Sequence, residues 1–121
     1  MVIGIDFDGT CVTNEYPHIG KDIGAIPVLK ALVDKGHKLI LITMRQGTPL
    51  KEAINWFTTN AIPLYSVNHN PTQSNWSLSR KIYANYYIDD ANLCTPLITT
   101  NSKPYINWVA VHQELINKKI L

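Results

Sequence analysis

The chain has 121 residues, 45% of them hydrophobic and 17% charged, the proportions of a folded globular protein and not of a disordered one, and this length predicts one domain, 1–121, around a single core. A formal net charge of +2 is too small to make nucleic acid the default partner, so nucleic acid enters only as a substrate. No apolar run approaches the roughly 18 residues of a membrane span, and no basic segment precedes the first apolar run, so neither a membrane anchor nor a secretory leader is expected.

The first element predicted is a short buried strand, "VIGID", closed by Gly9. Residues 10–20 read as a loop or small flap. "DIGAIPVLKALVDKG" follows as a helix, with Ile26, Leu29, Leu32 and Val33 at helical spacing and Gly36 just past its end. "HKLILIT" is a second strand, buried on both faces. Thr48 and Pro49 then read as the N-cap and first residue of a helix reaching about Asn60, with Ile54 and Phe57 on its inner side. "PLYSV" is a third strand, and the polar stretch "NHNPTQSNWS" leads into a short helix, "LSRKIYAN". "YYIDD" is the fourth strand. An irregular stretch with a short edge strand at 97–99 precedes a last helix, about Ile106 to Lys119, with Trp108, Val111 and Leu115 turned inward. Cys11 and Cys94 have no CxxC partner and fit free thiols in a reducing cytoplasm.

Strands alternating with helices predict an α/β fold, a Rossmann-like parallel sheet with helices on both faces. In such sheets ligands bind beyond the carboxyl ends of the strands, where the strand order reverses. The polar residues gather there: Asp6 and Asp8 after strand one, Thr43 after strand two, Asp89 and Asp90 after strand four. Four acids brought together repel one another, and a hard divalent cation such as Mg²⁺, which takes oxygen ligands, relieves that repulsion. One aspartate of the first pair is then placed to attack phosphorus, and the other to protonate the leaving oxygen and later deprotonate water. Thr43 and Lys81 are placed to hold the transferring phosphoryl group, with Arg80 as the competing cation and Lys81 preferred for its compact charge. Gly9 would let the amides of Phe7 and Asp8 approach it closely. Arg45 either steers the anionic part of the substrate or pairs with an acid of the loop. Tyr16 and His18 in the flap, Asn68 and His69 after strand three, and Trp76 are further residues within reach of such a site. Cys11 has no adjacent base and reads as a bystander.

"DFDGT" after a strand, Thr43 in "LITMR", Lys81 in "SRKIY" and Asp89–Asp90 in "YYIDD" occur in this order, and the chain so resembles the phosphatases of the haloacid dehalogenase (HAD) superfamily. "YPHIG" and the short length are similar to small bacterial and phage members. The resemblance implies Asp6 as nucleophile, and Asp8 as general acid/base that also lends its backbone carbonyl to Mg²⁺. It further implies Thr43 and Lys81 on the phosphoryl group and Asp89 on the metal with Asp90 nearby. A metal set of Asp6, Asp8, Asp89 and Asp90 follows, with Gly9 and Arg45 beside the substrate. Neither gap between motifs has room for a cap domain, so a capless form is expected.

The function expected is Mg²⁺-dependent hydrolysis of a phosphomonoester through an aspartyl-phosphate, in the cytoplasm. The alternatives are phosphotransfer to another acceptor, as in a phosphomutase, and a catalytically silent protein that binds metal and phosphate. A response-regulator receiver shares these ingredients but needs its phosphoacceptor after strand three, where this chain has Ser66–Val67.

Overall fold

In the computed structural model, which describes residues 1–121, strands β1 (Val2–Ile5), β2 (Lys38–Leu41), β3 (Ser66–Val67) and β4 (Tyr86–Ile88) form one parallel sheet in the order β3-β2-β1-β4. Helices α1 (Ala25–Asp34) and α2 (Gly47–Thr59) connect β1 to β2 and β2 to β3. After β4 come an antiparallel hairpin, β5 (Leu97–Ile98) and β6 (Tyr105–Ile106), and the last helix, α3 (Trp108–Asn117). The edge strand expected at 97–99 therefore pairs in a separate ribbon and not with the main sheet. No helix is long and apolar enough to cross a membrane.

Parallel pairing sets Ile3 beside Leu39 and Tyr86, and Ile5 beside Leu41 and Ile88. Side chains alternate across a strand, so Ile3, Ile5, Leu39, Leu41 and Ile88 share one face. They join a cluster of 20 buried residues with Ala25, Val28, Leu29 and Leu32 of α1, Ala53 and Phe57 of α2, and Trp108, Val111 and Leu115 of α3. All three helices thus pack on one face of the sheet, which corrects the expectation of helices on both. Gly4 on the opposite face leaves space that Ile42 and Tyr87 fill: an added Cβ would lie 2.7 Å from the Ile42 Cδ1. Over that face the chain runs as the irregular segment 68–85, whose Ile82 carbonyl accepts a hydrogen bond from the Tyr87 hydroxyl.

The helix expected at "LSRKIYAN" does not form. The side chain of Gln73, in a single 3₁₀ turn (Gln73–Asn75), takes the backbone groups that a helix would have used. Its Nε2 donates to the carbonyls of Ser79 and Lys81 at 3.1 and 2.7 Å, and its Oε1 accepts from the Tyr83 amide at 2.8 Å. A buried amide side chain satisfied in this way holds a non-helical backbone as completely as a helix would. The start of α2 also differs. Its N-cap is Gln46, which gives no side-chain cap, and Thr48 and Pro49 are its second and third residues, where backbone amides lack intrahelical acceptors in any case.

Each helix ends in the same way. After α1 the Gly36 amide donates to Val33 and the His37 amide to Leu32, with Gly36 at φ 94°, a Schellman motif with glycine in its left-handed position. The pattern recurs with Ala61 (φ 55°) after α2 and Lys119 (φ 60°) after α3, where a Cβ makes that conformation costly. Ala61→Gly is therefore expected to stabilise the protein by roughly 0.5–1 kcal/mol in urea denaturation. A loss of stability would show that the turn tolerates its Cβ without strain.

Candidate active site

The pairing register builds the acidic edge. Because Ile5 lies beside Ile88 and the Asp6 amide donates to the Ile88 carbonyl at 3.0 Å, the next residues, Asp6 and Asp89, emerge side by side. The strand order reverses at β1, so this crevice between β1 and β4 is the switch point at which ligands bind in open parallel sheets. Carboxylate oxygens of Asp6, Asp89 and Asp90 lie within 4.8 Å of one another. This all-oxygen donor set suits a hard divalent cation. The Asp8 carbonyl accepts no backbone hydrogen bond and remains open as a further oxygen donor.

Thr10, fully buried, ties the trio together. Its hydroxyl lies 2.9 Å from Asp6 Oδ2 and 3.2 Å from Asp90 Oδ1, and it accepts from the Asp90 amide at 3.0 Å. Its carbonyl accepts from the Trp108 indole at 2.7 Å, which anchors the turn to α3. Gly9 is fixed by two constraints. Its φ is 80°, and a Cβ there would sit 2.5 Å from Asp90 Oδ2. Its own amide donates to the Val12 carbonyl at 2.8 Å, so the open side of Gly9 is filled by the Asp90 carboxylate. The amides of Asp8 and Met44 donate to no backbone acceptor.

Burial, a hydrogen bond to Asp90 and the charge of Asp89 push the Asp6 carboxyl up to about 8, against the smaller opposing effects of Thr10 and the Phe7 amide. Burial also raises Asp89, and Asp90 adds to it. Asp8 has a different environment. Arg45 Nε donates to Asp8 Oδ2 at 2.8 Å and Nη2 to Oδ1 at 2.7 Å, a bidentate pair. The remaining donors of Arg45 go to the carbonyls of Pro17, His18 and Pro49. A guanidinium has five N–H groups, and all five are taken. Arg45 therefore pairs with the loop acid and has no donor for a substrate. The same pair keeps the Asp8 carboxylate out of the Asp6–Asp89–Asp90 trio.

Asp6, Asp8 and Thr43 line an open cavity of about 540 Å³, with Met44, Asn14 and Tyr16 around its rim and Lys103 reaching in from the β5–β6 hairpin. Asn68 positions Thr43: its Oδ1 accepts from the Thr43 amide at 2.9 Å. The Thr43 hydroxyl accepts from the Arg45 amide at 3.1 Å and keeps its own proton to donate. Lys81 is not at this cavity. Its Nζ lies 5.9 Å from the centre of the Tyr87 ring, and it borders a separate cavity with Trp76 and Tyr83. Arg80 and His69 line a third cavity. His18 contributes its carbonyl, and Cys11 is buried with its thiol pushed up by burial and by Asp6 and Asp8. Both cysteines are free.

Sequence reasoning missed Thr10 and Lys103. Thr10 stands inside "DFDGT", and its spacing of four from Asp6 carried the signal. Nothing in the pattern around Lys103 could have singled it out.

The fold and this edge define an α/β protein with an acidic, cation-compatible crevice beyond a parallel sheet. No protein-family model and no curated protein matches the sequence. A solved structure of a conserved protein coded by a locus of Bacteroides thetaiotaomicron is similar at 36% identity and a TM-score of 0.77, covering 98% of this chain and 91% of that one. The chain belongs to the same family as that conserved protein.

Two outcomes are expected of the site. In EDTA, thermal stability falls as pH rises from about 5.5 to 8. A carboxyl raised from 3.8 when free to about 8 when folded holds its proton only in the folded state, and the stability this gives is lost as pH passes the folded value. Asp6→Asn should flatten the fall and be the more stable protein at pH 8; equal slopes in calorimetry would place the retained proton elsewhere. Arg45→Met should cost about 3 kcal/mol or more by leaving Asp8 uncompensated, and Asp8→Leu in the same chain should restore part of that. Urea titration of the three variants decides it, and a cost under about 1 kcal/mol would make the pair dispensable.

Proposed function

We propose that the protein is a Mg²⁺-dependent phosphomonoesterase of the HAD type, with Asp6 as its nucleophile. The observation that carries this reading is the double position of Asp6, which belongs to the Asp6–Asp89–Asp90 trio and also forms a wall of the cavity with Thr43. A nucleophile assisted by a metal has to touch both the metal site and the substrate space.

Mg²⁺ would be held by Asp6, Asp89, Asp90 and the Asp8 carbonyl. When bound, it supplies the positive charge that lets an anionic carboxylate approach an anionic phosphate. An Asp6 oxygen attacks phosphorus, the bond from phosphorus to the leaving oxygen breaks, and that oxygen takes the proton carried by Asp8, which Asp8 regains from the hydrolytic water. Water then attacks the phosphorus of the aspartyl-phosphate, the bond to Asp6 breaks, and inorganic phosphate leaves. The Thr43 hydroxyl and the amides of Asp8 and Met44 are the donors free to hold the phosphoryl oxygens.

Asp8 is the residue whose geometry constrains the reading. With both oxygens accepting from Arg45, it is suited to take the proton of the hydrolytic water. To give a proton to the leaving group it must first release one Arg45 bond. The same clamp favours the second reading, a silent protein that binds metal and phosphate without turning substrate over.

Hydrolysis of an aryl phosphate separates the two. Metal-dependent release of phosphate, lost in EDTA and in Asp6→Asn with the fold intact by circular dichroism, is the expected result. Mg²⁺ should also raise the melting temperature by linkage, and Asp89→Ala should remove that rise. A rise without turnover would support the silent binder, and no rise at all would remove the metal site.

A further inference from the structure

We propose that Lys103, in the turn of the β5–β6 hairpin, is the cation that grips the substrate's phosphoryl group, in the place the motif order gives to Lys81. This rests on the phosphatase reading above. A phosphate dianion entering the cavity meets Asp6 and Asp8 on its wall and needs a compensating charge besides the metal. Arg45 cannot supply it, because all five of its donors end on protein oxygens. Arg80 and Lys81 border other cavities. Lys103 is the remaining cationic side chain at the cavity, and it has no carboxylate within ion-pair distance.

The hairpin places this lysine reproducibly. The Ile106 amide donates to the Gly9 carbonyl at 2.9 Å, and the Asn107 amide to the Pro96 carbonyl at 2.9 Å. Lys103 is thereby tied to the turn that carries Asp6 and Asp8. Within the hairpin loop, the hydroxyls of Thr100 and Ser102 lie 2.9 Å apart in a hydrogen bond. Pro104 follows Lys103 and restricts its backbone to extended conformations. A lysine on a flexible four-carbon stem above an open cavity acts as a point charge, which suits a phosphate whose orientation is set by other donors. The cation so enters from a segment after the last acidic motif, on the solvent side of the cavity, where it can meet the substrate before the metal and Asp6 do.

Isothermal titration of the full chain with inorganic phosphate, in saturating Mg²⁺, tests this without turnover. Lys103→Met should weaken phosphate binding about tenfold, the loss of one charge-assisted hydrogen bond. Lys103→Arg should stay within about threefold of the parent, since the charge is kept, and Lys81→Met should bind as the parent does. Lys103 is exposed, so these variants are expected to keep the parent's melting temperature, which is measured alongside. Unchanged phosphate binding in Lys103→Met would overturn the assignment and leave the phosphatase reading standing, with Lys81 the cation if its variant loses binding instead. Failure of the parent protein itself to bind phosphate would overturn the phosphatase reading and this inference together.

Discussion

Arg45 is 3% exposed, and its guanidinium joins three segments at one point: Asp8 in the turn after β1, the carbonyls of Pro17 and His18 in the flap, and Pro49 in the first turn of α2. Taking a guanidinium out of water is costly, and a pair buried this deeply earns its place less by net stability than by admitting one arrangement of its partners. Phe7 and Tyr16 lie on the guanidinium at 5.0 and 5.2 Å, so the flap is held by stacking as well as by hydrogen bonds. The cavity wall is formed from these same segments. Its shape follows from where one buried charge finds its acceptors.

That pairing divides the labour of two carboxylates only two residues apart. Asp8 has its charge cancelled by a fixed cation and stays an acceptor. Asp6 has no cation of its own, sits beside two further acids, and retains a proton up to about 8. A divalent ion at the trio would displace that proton, because it does for Asp6 what Arg45 does for Asp8. Two acids of a single turn so come to sit in two different electrostatic environments. Gly9 makes the arrangement sterically feasible: without its open side the Asp90 carboxylate could not reach the trio.

Much of this was legible in the sequence, and the parts that were not share a cause. Apolar runs gave β1 and β2, and Gly36 marked the end of α1, because both signals are local. The placement of Asp6, Asp89 and Thr43 was legible because parallel register carries strand ends to a common edge. The helix expected before β4 failed because a distant amide, Gln73, supplied the hydrogen bonds of residues 79–83, and no local pattern reports such a rescue. With that helix went the expected position of Lys81, which lies by Tyr87. For Arg45 the sequence allows a substrate contact or an acid's partner, and only its acceptors in the folded chain decide between them. Thr10 was overlooked because a threonine after Asp-Gly reads as turn chemistry. Its complete burial distinguishes it, and burial is a tertiary property.

The sheet edge and the loops above it therefore carry different information. Register fixes the acids: shifting β4 by one residue against β1 would separate Asp6 from Asp89 and turn Ile88, the buried side chain of β4, to the other face. The flap around Asn14 and Tyr16 and the hairpin around Lys103, which line the cavity, are held by a few contacts from Arg45 and from the Ile106 and Asn107 amides and not by strand register. The chemistry available at the edge is constrained by the folding of the core, whereas the choice of ligand rests on two loops whose residues can change without disturbing it. On the phosphatase reading proposed above, a substrate's phosphoryl group would meet the aspartates and, from the hairpin, Lys103 alone, whereas the rest of the molecule would meet only the loops. Selectivity in this fold is consequently to be sought between the flap and the hairpin, and not among the aspartates.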